Sequence, residues 1–279
     1  VVDVDPRTLN LDPASARAAR TAKTRAVMAV HLLGQPADLD GYDDLLVIED
    51  ACGAHGARIG GREVGGFGVG ATFSFFFSHH LTTVEGGIVV CDDDELADAL
   101  RSLRAHGWVR ERSDRAALEA AHPEIDPRFL FVSPGYNLRP TEMAAAFGLV
   151  QARRLDAWVE ARRTNHVEWC ARLADLPGVT VFPEAPGTLH AGFAFPILVE
   201  RDRAGCMRAL EARGIETRPI SGSNLARQPA FARVPAKTPV PLPVADDVHT
   251  RGFFVGNSHA FGAAHGERLA AALRSWSPS

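Results

Sequence analysis

Lysine is nearly absent from this chain. Of 30 basic residues in 279, only Lys23 and Lys237 are lysines, and the rest are arginines. A genomic codon bias accounts for the total; the places where lysine is missing carry the information. Cysteine is also sparse. Cys52, Cys91, Cys170 and Cys206 form no CxxC pair, which excludes a zinc ribbon, a redox dithiol and a dense disulfide framework and points to a reducing, cytoplasmic setting. No apolar run approaches the roughly 18 residues of a transmembrane helix. The opening Val1-Val2-Asp3-Val4-Asp5-Pro6 lacks the basic start and apolar stretch of a signal peptide. With 30 basic and 34 acidic residues the net charge is -4, so nothing draws the chain toward nucleic acid or an anionic membrane. What is present is 46% hydrophobic and 23% charged, the composition of a globular protein long enough for one large domain or two modest ones.

The first half alternates strand-like and helix-like segments. Residues 26–32, 45–48, 72–77 and 87–91 are apolar runs, and such runs separated by crossovers predict a mainly parallel sheet covered on both faces. Asp92 to Glu95 opens a helix, because acids suit the positive end of its dipole and Leu96, Leu100 and Leu103 recur at helical spacing. Residues 109–134 read as a charged surface excursion. A single long helix is expected from Thr141, a natural N-cap after Pro140, to Leu173. Beyond Pro177-Gly178, strands at 179–182 and 193–199 and helices at 203–213 and 266–276 suggest a smaller unit. The expectation is an α/β protein divided into 1–155, a large domain, and 156–279, a small C-terminal α/β domain.

Three segments hold residues suited to chemistry. Glu49-Asp50 ends a buried strand, where ligands collect in open parallel sheets; an acid there serves equally well as a helix cap. Residues 74–87 place Ser74, Ser78, His79 and His80 ahead of Gly86-Gly87. Histidine is the side chain best suited to proton transfer near neutral pH, although a hydrogen-bonded structural histidine explains either one. In extended chain the two point to opposite faces, which argues against a metal pair. Gly135-Tyr136-Asn137-Leu138-Arg139-Pro140-Thr141-Glu142 precedes the long helix and reads either as an anion cradle or as a plain capping loop.

Taken together, in this order and spacing, VDVDPRTLNLD, VHLLGQPADLD, IEDACGAHGA, EGGIVV, LRAHGW and GYNLRPTE resemble the DegT/DnrJ/EryC1/StrS family, sugar-modifying enzymes of fold type I that depend on pyridoxal 5'-phosphate (PLP). The resemblance runs over nearly the whole chain. It implies that Asp50 pairs with the pyridine nitrogen, that Ser74 binds the cofactor phosphate, and that Asn137 reaches the phosphate of a neighbouring subunit in a homodimer with shared active sites. His55 lies in the family's AHGA stretch, and Gly53 replaces a common glutamine beside the ring.

The decisive departure is His79. In the family's aminotransferases the lysine that forms a Schiff base with PLP stands five residues after the serine; Ser74 plus five is His79. The pattern SFxxxHHxxTxEGG resembles the small branch that removes a sugar hydroxyl instead of installing an amine. It implies PLP and pyridoxamine 5'-phosphate as cofactors, L-glutamate as amino donor, a nucleotide-linked 4-keto-6-deoxyhexose as substrate, loss of the C3 hydroxyl, and His79 as general base. Members of that branch with an iron–sulfur cluster carry cysteines just before GYNL; residues 109–134 contain none, so no cluster is expected. TRPISGSNLARQPAF, residues 217–231, also resembles this branch. It offers Arg218 and Arg227, with Arg139, as partners for substrate carboxylate or phosphate. An aminotransferase drawing its lysine from elsewhere and a non-catalytic, cofactor-binding relative are the alternatives. Family members begin well upstream of Val1, so the chain reads as lacking an N-terminal part of the large domain.

Overall fold

The computed structural model describes residues 1–220 and 222–276. A short helix α1 (Pro13–Ala18) is capped by the Asp12 carboxylate, which accepts from the amides of Ala14 and Ser15. There follow β1 (Ala26–Val30), β2 (Leu46–Asp50), the two-residue strands β3 (Arg58–Ile59) and β4 (Arg62–Glu63), then β5 (Gly70–Ser74) and β6 (Gly87–Val90). Helices α2 (Asp94–Leu103), α3 (Arg115–Ala121), α4 (Glu142–Ala152) and α5 (Leu155–Leu173) lead to β7 (Val179–Val181), β8 (Thr188–Leu189) and β9 (Ala194–Val199). The chain then forms α6 (Arg203–Glu211), β10 (Thr217–Pro219), α7 (Pro243–Arg251), β11 (Gly252–Gly256) and α8 (Ala263–Ser275).

The first sheet runs β1-β2-β5-β6. Its three leading strands are parallel, in a register that sets Val30 beside Asp50 and Asp50 beside Thr72. The carboxyl ends of all three therefore meet at one edge. β6 departs from the expected parallel order. It pairs antiparallel with β5 because residues 75–86 contain no helix, and a parallel return needs a crossover of a dozen residues or more, usually helical. The second sheet, β10-β11-β9-β7, is antiparallel throughout. A small three-stranded sheet, β4-β3-β8, ties residues 58–63 to 188–189.

The helix expected from 141 to 173 is two helices. Gln151, in the last turn of α4, exchanges two side-chain hydrogen bonds with the Thr82 backbone, and Arg154 N turns back to Gln151 O at 2.8 Å. That pinned tight turn ends α4 before α5 begins. The 109–134 stretch is exposed over most of its length, as expected, although it contains α3 and buries Val109 and Leu130.

The main core lies under the second sheet. Phe195, Ile197 and Val199 of β9 and Phe253 and Val255 of β11 pack with Trp169 and Leu173 of α5 and Leu269 and Leu273 of α8. The amino-terminal turns of α5 pack elsewhere, Val159 joining Ala51, Ala54 and Ala57 beneath the loop that follows β2.

Candidate active site

Adjacent residues at the end of β2 face opposite sides of the sheet, and they do different work. Glu49 is fully buried and accepts from the amides of Gly65, Phe67 and Gly68 at 2.7–2.8 Å, with His31 Nε2 at 3.2 Å. Burial opposes its charge, but the histidine and the three amides outweigh that and lower its pKa to about 2. Glu49 thus builds the 65–68 loop. Asp50 turns the other way, its carboxylate accepting from Cys52 N at 3.1 Å.

Around Asp50 the strand ends deliver the other predicted residues. His55 is buried, and its Nε2 lies 2.9 Å from the Ser74 carbonyl. The Ser74 hydroxyl accepts from Phe76 N at 3.2 Å, which leaves its own proton free to donate. His79 follows in the turn after β5. Its Nδ1 is buried with no partner, and the Phe193 ring packs 4.8 Å from the imidazole, centroid to centroid. Burial lowers the His79 pKa below the ordinary histidine value; His55 and Arg162 add to this and Asp50 opposes it. The imidazole is therefore neutral at neutral pH, as a base must be. His80, in the same turn, is buried, packs 5.7 Å from the Phe193 ring and bonds the Ala191 carbonyl at 2.9 Å; burial, with Arg162 nearby, pushes its pKa down to about 3. At Gly53 a Cβ would first meet the Phe193 ring at 3.6 Å, so the absent side chain leaves space beside that wall. Cys52 is no nucleophile at neutral pH, because burial and its hydrogen bond to Asp50 push the thiol up to about 11.

The structure gathers Asp50, Gly53, His55, Ser74 and His79, and sets the remaining predicted residues apart from them. Arg218 lines a cleft of about 390 Å³ that opens from Ser78 and Phe193 toward Asn257, Phe261 and Arg268, and it pairs with Glu216 at 2.8 Å. Arg227 holds Asp246 through two nitrogens at 2.7 and 2.8 Å. Asn137 and Arg139 lie on an exposed strip before α4, with Asn137 Oδ1 accepting from Arg139.

Sequence reasoning missed Phe193, Arg162 and Asn257. Arg162 donates to the carbonyls of Phe193 and Asn257, and Asn257 Nδ2 donates to those of Arg162 and Gly192. Gly192 has φ +63, and a Cβ there would lie 2.6 Å from the Arg162 carbonyl oxygen, so only glycine fits. The one available signal was the apolar Phe253-Phe254-Val255 run stopping at Gly256-Asn257.

The sequence pattern of the DegT/DnrJ/EryC1/StrS aminotransferase family matches residues 1–274. The chain belongs to this family. It is 38% identical over 269 residues to the GDP-4-keto-6-deoxy-D-mannose 3-dehydratase of Yersinia pseudotuberculosis, covering 92% of this chain and 68% of that protein. Of the protein of the same name from Escherichia coli O55:H7 it spans 61%. Among solved structures, GDP-4-keto-6-deoxy-D-mannose 3-dehydratase from Escherichia coli with bound hydrated PLP superposes with a TM-score of 0.90 at 33% identity, over 98% of this chain and 73% of that one. A structure of GDP-4-keto-6-deoxymannose-3-dehydratase with a trapped PLP-glutamate geminal diamine gives 0.87 at 32%, with the same coverage. The fold of this DegT-family chain is therefore that of the PLP-dependent dehydratases and aminotransferases.

Proposed function

We propose that the protein removes the C3 hydroxyl of a nucleotide-linked 4-keto-6-deoxyhexose, a 3-dehydratase that uses PLP and pyridoxamine 5'-phosphate with L-glutamate as amino donor. The observation that carries this is His79, a half-buried imidazole whose pKa lies below the ordinary histidine value, at the position of the lysine in the family's aminotransferases. Neither lysine stands in for it. Lys23 precedes β1, at the end of the sheet opposite Asp50, and Lys237 lies on an exposed stretch beside the chain's first residue.

The residues present fit the cofactor. Asp50, whose carboxylate meets no cation among the described residues, Ser74, with a hydroxyl proton free to donate, and His79, with an unpartnered Nδ1, lie at the same end of the first sheet, and Gly53 leaves room beside Phe193. When bound, the cofactor supplies an electron sink and an amine carrier. Asp50 would hold its ring nitrogen protonated, Ser74 would donate to its phosphate, and Gly53 and His55 would border the ring. His79 would take a proton from the carbon that bears the amine, and the Phe193 wall would keep water from that face. The net reaction balances: glutamate becomes 2-oxoglutarate and ammonia, and the two electrons it gives up replace the sugar's C3–OH by C3–H.

In the same reading Arg218 meets the substrate in the cleft, with Arg139 and Arg227 as further anion partners, and the enzyme is a cytoplasmic homodimer in which Asn137 serves the partner's site. The exposed apolar side chains flanking Asn137, namely Tyr136, Leu138, Met143 and Phe147, support an interface there. All four cysteines are free, in keeping with a reducing compartment. Among the described residues no helix is long and apolar enough to cross a membrane. The test is incubation with PLP, glutamate and a GDP-linked 4-keto-6-deoxyhexose, followed by mass spectrometry of the sugar nucleotide. A product lacking one oxygen, with free ammonia, is expected; an amino sugar would overturn the assignment.

A further inference from the structure

Arg162 lies midway along α5, is 7% exposed, and is far from either end of the sequence segments that form the site. A buried guanidinium normally has a carboxylate beside it, because an unpaired charge in a poorly solvated interior is costly. Here the hydrogen-bond partners are the carbonyls of Phe193 and Asn257, and Nε has no partner. Burial alone lowers its pKa, to about 10, so it stays charged at neutral pH. That arrangement is expensive for packing alone, and what it holds in place is the wall of the site. Phe193 N also bonds Leu33 O at 3.1 Å, and Ala191 N bonds Gly34 O at 2.8 Å, so residues 191–193 are strapped to the 33–34 loop on one side and to α5 on the other.

We propose that Arg162 is a positioning residue for His79, its guanidinium clamping the Phe193 and Asn257 carbonyls so that the Phe193 ring forms a fixed wall against the imidazole. The charge has a second consequence. The titratable groups facing His79 are Asp50 and His55, from the end of β2 and the loop after it, His80 beside it in the chain, and Arg162 from α5. Only Asp50 favours the imidazolium, and Arg162 works against it. Burial is the main reason the base is unprotonated, and Arg162 adds to it while holding the wall.

The catalytic part of this inference rests on the dehydratase reading; the titration part does not. The experiment pairs Arg162→Met with Arg162→Lys. With ring-labelled histidine, the His79 signal, assigned through His79→Asn, is followed by NMR against pH in the protein without cofactor or sugar. In Arg162→Met the His79 midpoint should rise, and Arg162→Lys should return it to the parent value. In turnover, Arg162→Met should lower kcat about tenfold, move the acidic limb of the kcat profile upward, and leave KM for the sugar nucleotide within about threefold. A folded Arg162→Met variant with parental titration and parental kcat would overturn the proposal and leave Arg162 as packing. Should Arg162→Met not fold, Phe193→Leu decides: it removes the wall and keeps the charge, and a parental kcat there would overturn the proposal as well. If the parent itself makes no deoxygenated sugar, the functional reading fails while the titration still decides whether Arg162 tunes His79.

Discussion

The two four-stranded sheets are built to different ends. In the second, every residue of β9 is buried, and helices α5 and α8 close over the inner face with large side chains. In the first, the residues packed beneath the loop after β2 are mostly alanines. Met28, Leu46 and Ile88 stand 62%, 55% and 47% exposed on its strands. Among the described residues the second sheet carries most of the packing, and the first gathers the candidate site. A parallel sheet gathers its carboxyl ends at one edge, and small residues there let the loops after β2 and β5 approach each other. Those same small residues contribute little hydrophobic stabilisation. The loops are instead fixed by polar devices: Glu49 on three amides, His55 on Ser74, and His80 on Ala191.

That contrast can be broken by mutation. Phe253→Ala in the closed sheet should cost about 3–5 kcal/mol through lost burial and a cavity, read as a lower urea midpoint. Glu49→Gln should cost about 2–3 kcal/mol, since it keeps the shape but removes the charge that three amides and a histidine were arranged to meet; an equal midpoint for the variant would show that the loop holds itself. Met28→Ala and Ile88→Thr, on the exposed positions of the open sheet, should each fall within about 0.5 kcal/mol. A loss there comparable to Phe253→Ala would mean that the first sheet is buried in solution.

Acid should sharpen the same comparison. His80 at about 3 and His166 at about 4 are held neutral in the fold mainly by burial, and burial also lowers His190, stacked on His166 with 3.9 Å between ring centroids, well below the ordinary value. Above the ordinary histidine pKa of about 6.5, folded and unfolded chains are both neutral at these sites and nothing is gained or lost. Below it the unfolded chain binds protons that the folded chain refuses, so stability falls from about pH 6.5 down toward the folded values, by up to about 2 kcal/mol per histidine at pH 5. Glu49 acts in a lower window, its contribution being present above about 4.5 and lost toward 2. A urea midpoint that stays flat between pH 7 and 5 would contradict this accounting.

Much of this was legible in the sequence, and the reason is local. Asp50, Gly53, His55, Ser74 and His79 fall within thirty residues, in short motifs whose resemblance to the family implies their roles. The same locality explains the errors. Nothing in the apolar run at 87–91 distinguishes a parallel partner from a hairpin; the missing crossover does. The break between α4 and α5 comes from a clamp between Gln151 and Thr82, residues far apart in the chain. Phe193, Arg162 and Asn257 were missed for that reason too, since only tertiary packing brings α5, β9 and β11 behind His79.

The claim on which the account turns is that an imidazole stands where a lysine would capture the cofactor. It is tested by adding PLP, reducing with borohydride and measuring the intact mass of the parent and of His79→Lys. The parent should stay at its own mass and His79→Lys should gain one reduced cofactor, mapped to residue 79. A parent labelled at Lys23 or Lys237, or a His79→Lys variant that takes up none, would contradict it.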